Sequence, residues 1–189
     1  MIKPALDFIF PHNWTVDVLE KRPLIAPARQ FIYPKQAEEV ERGALELLIK
    51  PAEADAFLAT CALGFADPTA PTDVGSCPDP DWLCAVSGGY AYLINVLDPQ
   101  QWRMIPYRPV LGVRALPVQQ LLLFIGHHSI LAWGRDGQAW ETPRLSWEGI
   151  EITSIVGDTL NGRGWDLMTD RNTSFSIDLQ TGERIDVTG

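Results

Sequence analysis

The stretch Leu121 to Trp140, LLLFIGHHSILAWGRDGQAW, is an apolar run, a polar break at Gly126-His127-His128, a second apolar run and an Asp136-Gly137 turn. Short apolar runs bounded by glycine and aspartate fit strands joined by tight turns. We therefore read three short antiparallel strands in this stretch.

A variant of the same pattern lies on either side of it. Trp82 to Trp102, WLCAVSGGYAYLINVLDPQQW, places Val86 over Ile125 and Trp102 over Trp140 at an offset of about forty residues. Each copy has an apolar strand, a small or polar turn, a second strand carrying aromatic residues (Tyr90 and Tyr92; Trp133) and an Asp-led turn. A looser third copy runs from Gly164 to Ile185, with Asp170-Arg171-Asn172 and Thr181-Gly182 as its turns. Between the copies, VLGVRAL (Val110 to Leu116) and IEITSIV (Ile150 to Val156) read as further strands. One unit is then about four strands in about forty residues. Such a unit is a small sheet with apolar faces, and it gains stability by stacking on a neighbour.

These units resemble the blades of β-propeller repeat proteins of the quinoprotein-like type, in which a strand ending in Ala-Trp is followed by an Asp-Gly turn and a further Trp. Here the matching residues are Ala132-Trp133, Asp136-Gly137 and Trp140. The resemblance covers roughly Asp81 to Ile185. It implies an architecture, carries no catalytic residue across and implies no quinone cofactor. A length of 189 residues allows only four to five blades of about forty residues. The expected fold class is all-β, a small or incomplete β-propeller-like stack of antiparallel four-stranded sheets with little helix. One β domain is expected over residues 1–189, with irregular strands and a Pro-rich loop over 1–80 and blade-like repeats over 81–189.

The N-terminal part is punctuated by Pro4, Pro11, Pro23, Pro27 and Pro34, too closely for a long helix. Strands are expected at roughly 6–10, 15–19 and 29–33. Lys35 to Arg42 has helical composition and predicts one or two turns. Ala44 to Lys50 alternates imperfectly and reads as a strand ended by Pro51. The apolar run Asp55 to Phe65 reads as a buried strand pair bending near Thr60, with a buried helix as the competing interpretation of its Ala and Leu content. Ala66 to Asp81, rich in proline and aspartate, reads as a loop. Loops of this length are often functional.

Composition narrows the function classes. Hydrophobic residues make up 46% and charged residues 21%, which suits a folded chain and argues against overall disorder. A net charge of −9 repels phosphate backbones and anionic lipid at long range. Nucleic acid and membrane are therefore not expected as partners, whereas a protein is. The N-terminus is interrupted by Pro4, Asp7 and Pro11 and has no signal-peptide apolar core, so a cytoplasmic location is expected. Cys61, Cys77 and Cys84 have no zinc-site spacing and read as free buried thiols.

The candidate site residues are His127, His128, Trp147, Asp166 and Asp170. Adjacent histidines on a strand point to opposite faces, so the pair reads as turn residues bonded to backbone, and no metal is assigned. A glycosidase would need two carboxylates across a groove. For Asp166 and Asp170, as for Asp136 and Glu141, capping of turns is the competing role. Seven tryptophans serve first to pack sheet faces, and a surface subset such as Trp147 would serve a contact. No nucleophile elbow, phosphate loop or dinucleotide fingerprint is present.

The expected function is a non-catalytic cytosolic binding or interaction protein, with no catalytic residues and no cofactor. The alternatives are a hydrolase acting on a sugar or ester, and an acidic, immunity-type inhibitor of a basic partner using Asp67, Asp73, Asp79 and Asp81. Exposed sheet edges would favour a dimer.

Overall fold

The structure, a computed structural model, describes residues 4–25, 27–34, 43–65 and 70–185. Among these the fold is all-β and contains no helix. The helical turns expected over 35–42 lie outside the described residues. The chain divides into two compact units, residues 1–110 and 111–189.

The first unit holds β1 (Ala5–Asp7), β2 (Trp14–Leu19), β3 (Arg29–Tyr33), β4 (Ala44–Pro51), β5 (Phe57–Ala62), β6 (Asp73–Ser76), β7 (Trp82–Ser87), β8 (Tyr90–Asn95) and β9 (Trp102–Met104). They form a four-stranded sheet in the order β2-β4-β5-β3 and a five-stranded sheet in the order β1-β6-β7-β8-β9. Most pairs are antiparallel, but β3 runs parallel to β5 and β1 parallel to β6. The prolines at 11, 23, 27 and 34 fall between strands and Pro51 ends β4, as their missing N–H requires. The β7–β8 hairpin turns on Gly88 (φ 54°) and Gly89 (φ 79°). Two positive φ angles in a two-residue loop match the twist of the flanking strands.

Alternation along these strands builds one core from the two sheets. Leu45, Leu47 and Ile49 of β4 and Phe57, Ala59 and Cys61 of β5 meet Leu83 and Ala85 of β7 and Tyr90, Tyr92 and Ile94 of β8. Two buried hydroxyls tie the sheets together. Ser87 Oγ donates to Cys61 O (3.1 Å) and Tyr92 Oη donates to Ala62 O (3.0 Å).

The second unit holds β10 (Gly112–Leu116), β11 (Leu121–Ile125), β12 (Ile130–Gly134), β13 (Gly137–Glu141), β14 (Ile150–Val156), β15 (Thr159–Asp166) and β16 (Arg171–Asp178). Consecutive antiparallel strands make a sheet β10-β11-β12-β13 and a sheet β14-β15-β16. The three strands read in Leu121 to Trp140 are β11, β12 and β13. Their shared core joins Leu121 and Leu123 of β11, Ile130 and Ala132 of β12 and Trp140 of β13 to Leu160, Phe175 and Ile177. Trp140 is the tie: its indole N–H donates to Leu179 O (2.8 Å). Gly182 lies against the same ring at φ 75°, where an added Cβ would stand 2.7 Å from the indole.

Several expectations differ from the structure. The sheets are not uniformly antiparallel and four-stranded, since they hold five, four, three and four strands and include two parallel pairs, and the strand expected at 6–10 is the shorter β1. The run at 55–65 is a single strand, β5, buried at every position, so it needs no polar alternation. The loop at 66–81 contains β6, which pairs with both β1 and β7.

Tyr92→Phe leaves the buried Ala62 carbonyl without its phenol donor. The expected result is a loss of about 1–3 kcal/mol, read as a lower denaturant midpoint at unchanged slope. Gly182→Ala must displace the Trp140 ring, and a changed tryptophan emission together with a lower melting temperature is expected.

Candidate functional site

The segment between β13 and β14 is pinned at successive residues. Thr142 N–H donates to Ile130 O (2.9 Å), and Ile130 N–H donates to Thr142 Oγ1 (3.0 Å). Leu145 N–H donates to His128 O (2.7 Å), and Trp147 N–H donates to Trp165 O (2.8 Å). Ser146, 2% exposed, is the knot of this segment. Its Oγ accepts the N–H of Trp165 (2.9 Å) and of Glu148 (3.1 Å). Gly164 is required beside it, because a Cβ there would meet Leu145 O at 2.5 Å.

Pinned in this way, the segment forms one wall of an open cleft of about 600 Å³ in the second unit. Arg144 and Trp147 belong to this wall, and Trp165 and Asp166 at the end of β15, Thr173 to Ser176 of β16, Arg184 and Ile185 complete the lining. The guanidinium carbon of Arg144 lies 4.4 Å from the centroid of the Trp147 ring, within cation–π range. Trp147 is 42% exposed. Neither Arg144 nor Arg184 has an ion-pair partner among the described residues.

The five residues picked from the sequence all lie in this unit. Trp147 and Asp166 line the cleft. Asp170 adjoins it, since its Oδ1 accepts the indole N–H of Trp165 (3.2 Å). His128 is bonded behind the wall, with Nδ1 3.2 Å from Ser146 O. His127 and His128 occupy the β11–β12 turn closed by Gly126 N–H to Ser129 O (3.0 Å), and their rings are 6.1 Å apart. Ser146, Arg144 and Arg184 were not singled out in the sequence. The only local sign of them is an arginine three residues before Trp147.

The carboxylates here are occupied by turn bonds. Asp166 Oδ1 accepts Met168 N–H (3.0 Å) and its Oδ2 accepts the Thr169 hydroxyl (3.0 Å). Asp170 sits at φ 51° in the same β15–β16 turn. Among the described residues no group of three His, Cys, Asp or Glu is placed to share a metal. Cys61, Cys77 and Cys84 are free and buried in the first unit. Burial pushes all three thiols well above their ordinary pKa, with further upward contributions from Glu46 and Cys84 on Cys61. They are therefore neutral rather than nucleophilic. A scan against protein-family models finds no match to this chain, and a search of curated proteins finds none.

Ser146→Ala removes the shared acceptor of two part-buried N–H groups, those of Glu148 and Trp165, so a stability loss of about 1 kcal/mol is expected, with altered Trp147 and Trp165 emission. A colourless-to-coloured thiol reagent is expected to leave the native protein unmodified near pH 8 and to titrate all three cysteines in denaturant. Fast native labelling would contradict the burial.

Proposed function

We propose that this chain is a non-catalytic binding protein, cytoplasmic in location, whose cleft in residues 111–189 takes a protein partner. The observation that carries the reading is Trp147, exposed in an open cleft and stacked by Arg144. Tryptophan and arginine are the residues most enriched where binding energy concentrates in protein interfaces. Two further apolar side chains, Leu167 (51% exposed) and Met168 (85%), follow Asp166 at the tip of the β15–β16 hairpin. They add exposed apolar area next to Asp166 in the chain.

The alternatives draw less support. A hydrolase needs carboxylates or a nucleophile free to act. Asp166 and Asp170 instead hold a turn. An acidic inhibitor surface would be built from Asp67, Asp73, Asp79 and Asp81. Asp67 lies outside the described residues, Asp79 accepts the N–H of Asp81 (3.0 Å), and Asp73 belongs to β6.

The finer architecture belongs to the same proposal. We take β6 to β9, β10 to β13 and β14 to β16 as blade-like units of a small or incomplete propeller-type stack. The support is the consecutive antiparallel order of each set and the spacing of about forty residues between the copies.

Selection of a random displayed-peptide library on the immobilised protein tests the binding role. Enrichment of sequences that change tryptophan emission on titration is expected, with at least about a tenfold loss of affinity in Trp147→Ala. Ligands that bind Trp147→Ala and the unsubstituted protein equally would place the site elsewhere, and a library that yields none would remove the reading.

A further inference from the structure

One wall of the cleft is strand β16, which contributes Thr173 to Ser176. β16 is the last strand of its sheet, and only its end is covered among the described residues. There Ile185 N–H donates to Ser176 O (2.9 Å) and Asp178 N–H donates to Glu183 O (2.9 Å), on either side of an isolated bridge between Ile177 and Arg184. Backbone groups on one side of a strand recur every second residue. The N–H and C=O of Ser174 and Asn172 therefore face the same side as those of Ser176, and no strand among the described residues pairs with them there. Ser174 and Asn172 are both exposed.

We propose that this edge takes an extended acidic peptide as an added strand, antiparallel or parallel to β16, with its carboxylates held by Arg144 and Arg184. The inference rests on the binding role proposed above and names the partner's contacting chemistry. Strand addition supplies main-chain hydrogen bonds, while pockets beside the edge read alternate side chains. Here the reading groups differ in sign from the rest of the molecule. The chain carries a net −9, yet two guanidiniums without ion-pair partners among the described residues line this cleft. Among the described residues the one carboxylate lining it, Asp166, already accepts bonds from Met168 and Thr169. Guanidinium matches carboxylate in geometry as well as charge. Repulsion from distant acidic residues is screened beyond about 10 Å at 0.1 M salt, so the contacts inside the cleft select the ligand. The Trp147 ring, already stacked by Arg144, offers an apolar surface to the side chains between the acidic ones.

The probe is the synthetic peptide acetyl-Thr-Glu-Val-Glu-Val-Thr-amide, titrated calorimetrically and by tryptophan emission into the full chain at 50 and 300 mM salt. Binding is expected, weakening with salt and falling by about tenfold or more when both glutamates become glutamine. N-methylation of alternate peptide amides, in the phase that faces β16, is expected to abolish it. The double variant Arg144→Gln, Arg184→Gln should lose the preference for glutamate and keep the sensitivity to N-methylation. Equal binding of the glutamine peptide, or indifference to N-methylation in both phases, overturns the proposal. So does concentration-dependent dimerisation of the protein alone that Ser174→Pro abolishes, since a second copy would then be the occupant. If the peptide fails while the displayed library still yields Trp147-dependent ligands, strand addition falls and the binding role stands. If neither binds, both fall.

Discussion

A sheet of three to five short strands cannot keep an apolar face in water, and every other feature of this protein follows from how that face is covered. In residues 1–110 the four-stranded and five-stranded sheets cover one another around Leu47, Ile49, Phe57, Tyr92 and Ile94. In residues 111–189 the four-stranded and three-stranded sheets do the same around Leu123, Ile130, Trp140, Leu160 and Ile177. Burial of apolar area drives this without direction. Direction comes from a few polar atoms caught inside: the hydroxyls of Ser87 and Tyr92 in the first unit, the indole N–H of Trp140 in the second. Each must find a partner once water is gone, and each finds a backbone carbonyl outside its own sheet. A sliding of one sheet on the other would break these bonds first.

The same rule shapes the cleft. The segment after β13 belongs to no sheet, so its backbone has no ladder to complete. Ser146 supplies the missing partners with one hydroxyl, and the carbonyls of His128 and Trp165 take the rest. With its backbone satisfied, the segment can hold Trp147 and Arg144 out toward solvent rather than collapse onto the core. The acidic residues of the β15–β16 turn act likewise. They fix the hairpin beside the cleft, which is structural work.

The all-β class and the hairpins were legible in the sequence, because local alternation and turn residues specify hairpins. The strands from Trp82 onward, the Gly88-Gly89 turn and the glycine-bounded run at Leu121 follow from chemistry within a few residues. What failed to show was non-local. Asp73-Val74-Gly75-Ser76 carries one large apolar side chain, and it is a strand because it is held between β7 and β1, the latter far away in sequence and parallel to it. The parallel pairing of β3 with β5 is equally silent in local pattern. The cleft was half legible. Trp147 and Asp166 stood out by type, whereas Ser146, Arg144 and Arg184 acquire meaning only from what the fold sets beside them. The histidines, conspicuous in sequence, proved to be turn residues, with the His128 ring bonded to backbone.

The bond from Trp140 to the Leu179 carbonyl spans 39 residues, and during synthesis those residues do not yet exist when Trp140 emerges. At about 5–20 residues per second the indole waits roughly 2–8 s for its acceptor. Over that interval the sheet β10-β11-β12-β13 is complete as a meander but bare on the face that Leu160, Phe175 and Ile177 will close. A nascent chain thus displays Leu121, Leu123 and Trp140 together before it can bury them, a transient stickiness that the finished protein no longer carries.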